Sequence, residues 1–210
     1  MKIASLLLTA ASACVLTAAA VAADPKDDLA AVMKAQSDAP AYRAKIATSD
    51  SNSGMKMTVT MERVKPNQIH VKTEGGPMAV EVYSDGQKTL MKQGDTPFQE
   101  APPQVAAMLA QNSQEAMMQQ AIASAKNVKV AGHESVNGTA ATLYTYDAEM
   151  SGVQSANKLW VSDKEHRPIK GESDVHGKVA AGGADGTKID MKVTSTFDYD
   201  PSIKVVMPTK

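Results

Sequence analysis

The sequence predicts an α+β fold: a strongly curved antiparallel sheet with helices over its concave face. Three observations predict it. Two long stretches alternate apolar and polar residues with a period of two. No segment from Tyr42 to Lys92 has the composition of a crossover helix, so consecutive strands pair as an antiparallel meander. One Ala-, Gln- and Met-rich stretch without Gly or Pro, Val105 to Lys126, separates the two strand sets. Roughly ten strands follow from this pattern, and a sheet of that size curls or closes. Helices across its open side then enclose an apolar hollow.

The elements follow in chain order. Met1-Lys2, an apolar run from Ile3 to about Val21, and the Val21-Ala22-Ala23 exit before Asp24 have the three parts of a secretory signal. We expect residues 1–23 to be cleaved and 24–210 to form one domain outside the cytoplasm, in the periplasm. Cys14, the chain's one cysteine, falls inside the signal, so the mature chain carries no thiol and relies on its core. Asp27 to about Gln36 reads as a helix capped by Asp27 or Asp28, with Leu29, Val32 and Met33 on one face. Met55, Met57, Val59 and Met61 alternate with Lys56, Thr58, Thr60 and Glu62 as a half-buried strand. Ile69, Val71 and Thr73 form the next strand, followed by Val80 and Val82. Asp85-Gly86 and Asn137-Gly138 are hairpin signals. Beyond the helical insertion we expect strands around Val128–Val130, His133–Val136, Thr142–Tyr146, Lys158–Val161, Pro168–Val175, Ile189–Ser195 and Ile203–Met207.

Charge excludes one class of partner. Lys and Arg number 22 against 23 Asp and Glu, spread along the chain without a basic stripe, so nucleic acid is not expected. The histidines His70, His133, His166 and His176 are scattered, no nucleophile elbow or His-Glu-x-x-His helix is present, and no enzyme activity or cofactor is expected. Aromatics are 4% of the chain whereas Met numbers 13, and Met side chains adapt to varied apolar guests. Met55, Met57, Met61, Val80, Val82 and Met191 are the expected lining of the hollow. Thioethers of Met55, Met57 and Met61 share a strand face and could hold Cu(I), although that face is also the natural core face.

In the insertion, Val105, Met108 and Leu109 lie on one helical face. Met117, Met118, Ala121 and Ile122 lie on another, so a lid of two helical pieces breaking near Asn112-Ser113 is expected. Lys65, in the Val64-Lys65-Pro66-Asn67 turn, is expected beside the mouth of the hollow.

Several runs resemble the LolA/LolB-like lipoprotein carriers. They are Glu62 to Val71, with its basic-Pro-Asn turn; Val82-Tyr83-Ser84-Asp85-Gly86-Gln87-Lys88-Thr89-Leu90; Lys158-Leu159-Trp160-Val161 with Arg167-Pro168-Ile169; and Phe197-Asp198-Tyr199-Asp200 with Val205-Val206-Met207-Pro208. The resemblance implies an unclosed barrel with a helical lid whose hollow holds acyl chains, and a lipid or acylated lipoprotein as partner. An envelope membrane protein is a further partner if the protein senses or docks rather than transports. Lys65 stands where LolA carriers have Arg, and Met replaces their aromatic lining, so the resemblance is to a distant member and not to a LolA orthologue. A monomer is expected.

Overall fold

The computed structural model describes residues 24–111, 120, 122–150, 152–179 and 187–209, with the side chains of 108, 110, 111, 150 and 179 also outside the described set. The expected signal, residues 1–23, lies outside the described residues.

Helix α1 spans Pro25–Asp38. Asp24 caps it, its Oδ1 accepting from the Lys26 amide at 2.9 Å, and Pro25 fills the first turn, where a missing N–H costs nothing. The expected cap at Asp27 or Asp28 is therefore corrected. Both carboxylates sit in the first turn and complement the helix dipole instead.

Eleven strands follow: β1 Ala41–Asp50, β2 Lys56–Val64, β3 Gln68–Gly75, β4 Val80–Ser84, β5 Thr89–Gln93, β6 Gln99–Glu100, then helix α2 Pro103–Gln111, β7 Lys126–Val136, β8 Thr139–Met150, β9 Val153–Ser162, β10 Pro168–Val179 and β11 Thr187–Asp198. They form one curved, unclosed antiparallel sheet in the order β6-β5-β4-β3-β2-β1-β11-β10-β9-β8-β7. Pairing of β1 with β11 joins the two meanders. The two edges, β6 and β7, are consecutive in the chain, and α2 begins in the connection between them. The Asn137-Gly138 turn has positive φ at both residues, 49° and 83°, as a tight hairpin requires. At the Asp85-Gly86 turn, Gly86 has φ +88° and a Cβ there would meet Asn67 Cβ at 2.7 Å, so glycine lets two neighbouring turns touch.

Two strand expectations change. The pieces around Val128–Val130 and His133–Val136 are one strand, β7, with irregular register near Lys126–Lys129 and Val130–Gly132. Ile203–Met207 is not a strand, although Ile203 and Val205 are buried. The preceding strand, β11, already has both neighbours, so no free edge adjoins it for another strand to pair with.

Register settles which side chains share a face. Across the sheet, Tyr144, Leu159, Gly171, Ser195, Ile46, Val59, Thr73 and Val80 are successive cross-strand partners. A parallel row runs Phe197, Ala44, Met61, Val71, Val82, Met91. Directly paired residues point to the same side, so these rows define one face. At one end of it α1 buries Leu29 and Val32 with Ala125, Tyr144, Leu159 and Val161. At the other end Val105 and Leu109 of α2 pack on Val82, Met91 and Ala101. Both helices therefore cover the same, concave face. A third cluster, Ala141, Leu143 and Trp160 with Val136 and Ile169, lies on the opposite face. Among the described residues no helix is long and apolar enough to cross a membrane.

Candidate functional site

Between the two helix-covered ends the concave face stays open. Ile46, Thr48, Met57, Val59, Met61, Val71, Val175, Met191 and Val193 are each half-buried, whereas outward neighbours such as Lys45, Ala47, Lys72, Asp174, Lys192 and Thr194 are exposed. Apolar side chains in this state line a recess. A cavity of about 530 Å³ opens there, walled by Tyr146, Ala148, Val153, Val175 and Val193 with Ser155, Asn157 and Ser173. The larger cavity, about 830 Å³, shares Tyr146, Asn157, Ser173 and Val193 with the first and is otherwise walled largely by charges of both signs, Lys129, Asp147, Lys158, Glu172, Asp174 and Lys192. Its walls suit water and ions rather than a hydrocarbon chain.

The expected lining residues divide. Met57, Met61, Val80 and Met191 are half-buried on the concave face. Val82 is 8% exposed beneath α2. Met55 is 38% exposed in the turn before β2, at the rim. Val105 and Leu109 cover one end of the face, and Ile122 is half-buried in a further helical turn. Met117, Met118 and the expected break at Asn112-Ser113 lie outside the described residues, as does the Met108 side chain.

Lys65 turns towards α1: its Nζ is 3.7 Å from Asp38 Oδ1, and its amide donates to Pro40 O at 2.9 Å. Arg63 lies on the same face as Met61. It lines a cavity of about 400 Å³ with Pro66, Asn67, Ile69, Ser84, Thr89 and, from α2, Leu109. Period-two alternation from Met61 puts Arg63 on the inner face, the signal by which the sequence could have singled it out. The Val153 and Val175 wall was hidden for a similar reason. Its strands place Ser155, Asn157 and Ser173 on the inner face, where Ser173 Oγ donates to Asn157 Oδ1 at 2.7 Å.

Helix α1 is held by polar as well as apolar contacts. The Tyr144 hydroxyl donates to Asp28, and Lys26 Nζ donates to Ala125 O at 3.0 Å. Burial, and then the Asp28 carboxylate, push the Tyr144 hydroxyl well above its ordinary range.

The outer face of β1–β5 carries a charged network instead. His70 lies between Glu62 (Nδ1–Oε2 2.9 Å) and Glu81 (Nε2–Oε1 3.0 Å) and stacks on Tyr83 at 4.1 Å. Arg43 bonds Glu62 at 2.7 Å, and Lys92 bonds Glu81 at 2.7 Å. Each ring nitrogen faces one carboxylate oxygen. Burial raises both carboxylates, but His70 and Arg43 on Glu62, and Lys92, His70 and Tyr83 on Glu81, outweigh it and hold both below the usual range. Burial and the Glu81 carboxylate push the Tyr83 hydroxyl to about 12. Folded-state values below the unfolded value of about 4.3 add stability above that pH, and it is lost as pH falls through the folded values. Glu81→Gln should cost about 1–3 kcal/mol at pH 7 and flatten the acid limb of a urea-midpoint profile. Parallel profiles for variant and parent would contradict it.

The architecture is an unclosed, curved antiparallel sheet with both helices over its concave face. No protein-family model matches the chain, and no curated protein matches it by sequence. Among solved structures, it is similar to LprF from Mycobacterium bovis, with a TM-score of 0.59 and 13% identity over 88% of this chain and 96% of that one. It is also similar to the lipoprotein LppX of Mycobacterium tuberculosis, with a TM-score of 0.51 and 14% identity over 84% of this chain and 96% of that one. At these identities the likeness is one of fold.

Proposed function

We propose that this is an exported, non-enzymatic envelope protein that binds a lipid or the acyl chains of a lipoprotein in the concave hollow. One observation carries the reading: a largely apolar face, half-buried and open between two helices, with a cavity of about 530 Å³ against it. Such a face is costly to leave wetted, at about 25 cal/mol for each Å² of apolar surface. An acyl chain removes that cost without the directional contacts a polar ligand needs. Flexible thioethers at Met57, Met61 and Met191 follow disordered chains, which supports a lipid over a rigid guest. The α2 segment, with Val105 and Leu109 on Val82 and Met91, acts as the lid at one end.

Native mass spectrometry of the protein purified from its own envelope tests this. A co-purifying lipid mass is expected. A bound metal with no lipid would favour the thioether reading, and a bare chain that also fails to take up fatty acid would end the lipid reading.

A further inference from the structure

Three buried polar atoms have no hydrogen-bond partner among the described residues: Tyr42 Oη, Tyr199 Oη and Arg167 Nε. They belong to one cluster. The rings of Tyr42 and Tyr199 are 6.2 Å apart, and the Arg167 guanidinium lies 5.3 Å from the centre of the Tyr199 ring. Tyr42 is 1% exposed and precedes Ala44 and Ile46 on the concave face. Its cross-strand partner is Arg63, which lines the cavity of about 400 Å³ under α2.

We propose that Tyr42, Tyr199 and Arg167, with Arg63 at the cavity wall, form a headgroup site that selects amphiphiles ending in an oxyanion, a phosphate or a carboxylate. The inference rests on the lipid reading above and adds the chemistry of the polar end.

The cluster presents donors and positive charge. A buried donor left unpaired costs about 1–3 kcal/mol, and three in one place mark a site whose acceptor comes from elsewhere. Among the described residues Arg167 forms no ion pair, so none of their carboxylates occupies its fork. Burial raises both tyrosine hydroxyls, and a neighbouring guanidinium opposes it in each case, Arg63 at Tyr42 and Arg167 at Tyr199. An oxyanion accepts from hydroxyls and guanidinium together, and Arg suits its planar or forked geometry better than Lys does. The tail has a path. Arg63, Met61, Val59 and Met57 follow one another on the same face of β2, a run of about 20 Å along the apolar floor.

The test is displacement of Nile red by 1-oleoyl-lysophosphatidate, oleate and monoolein, which share one tail. The parent should take one of the anions at least tenfold more tightly than monoolein. Preference for lysophosphatidate assigns a phosphate, and preference for oleate a carboxylate. Arg167→Gln, Tyr42→Phe and Tyr199→Phe should each shrink that ratio to threefold or less. The Tyr→Phe variants should also keep or raise the melting temperature, because they remove donors that the free protein leaves unpaired. Equal affinity of the parent for all three probes would overturn the headgroup site while leaving the hollow standing. A melting temperature lowered by several degrees in both Tyr→Phe variants would show that the hydroxyls have structural partners and would also overturn it. Inorganic phosphate alone stabilising the protein as much as lysophosphatidate would make this a free-anion site, against the proposal. If no probe displaces the dye, the lipid reading falls and the headgroup site with it.

Discussion

Val193→Trp is expected to weaken binding of a fluorescent fatty acid by roughly tenfold or more, a loss of about 1.4 kcal/mol or greater, with little change in melting temperature. Val193 sits mid-sheet on β11, between Thr48 of β1 and Ser173 of β10, and walls the apolar cavity. It is half-buried, so an indole there projects into open space rather than into packed core, and the overpacking cost of a filled interior does not apply. Thr194→Trp is the matched control. It is the next residue, exposed on the opposite face beside the charged outer cleft. The lipid reading requires that Val193→Trp impair binding and Thr194→Trp leave it intact. Val193 borders both cavities and Thr194 only the charged one, so impaired binding in Thr194→Trp with none in Val193→Trp would refute the concave hollow.

The largest stability effect is expected at Leu29. It is 1% exposed and packs with Val32 among Ala125, Tyr144, Leu159 and Val161. Leu29→Ala removes that contact and leaves a cavity beneath a helix that cannot collapse onto a rigid sheet, at a cost of about 2–5 kcal/mol. For a domain of this size, the melting midpoint should fall by roughly 5–15 °C. Thermal unfolding followed by circular dichroism measures it. A shift of only a degree or two would mean that α1 contributes little to the core and is a docked accessory. The Tyr144–Asp28 bond couples α1 to the same strands, so Tyr144→Phe combined with Leu29→Ala should cost a different amount from the sum of the single changes.

How legible the molecule was in the sequence varies from strand to strand. β2 was readable because Met57, Val59 and Met61 alternate with the polar Thr58, Thr60 and Glu62. The hairpins at Asp85-Gly86 and Asn137-Gly138 were readable because positive φ needs those residue types. β9 was harder to read. Leu159, Trp160 and Val161 are all buried, since α1 covers one face and the Ala141–Leu143 cluster the other, so alternation vanishes there. The polar inner residues Ser155, Asn157 and Ser173 blur the same pattern further along. Lys65 drew attention as a lone basic turn residue, but nothing local shows that Asp38, 27 positions earlier, lies within 3.7 Å of it.

The sequence by itself determined the strand type, the main turns, the leading helix and the absence of any thiol outside the N-terminal apolar run. These follow from short-range sterics, period-two burial and composition, which act within a few residues. Only the tertiary structure decided which strands neighbour one another, that β1 closes onto β11, and that both helices cover one face. Only it brought Tyr42, Arg63, Arg167 and Tyr199 to the same end of the hollow. Those outcomes depend on contacts between residues more than a hundred positions apart, such as Tyr42 with Tyr199. Burial and charge there are properties of the assembled sheet, and no local pattern encodes them.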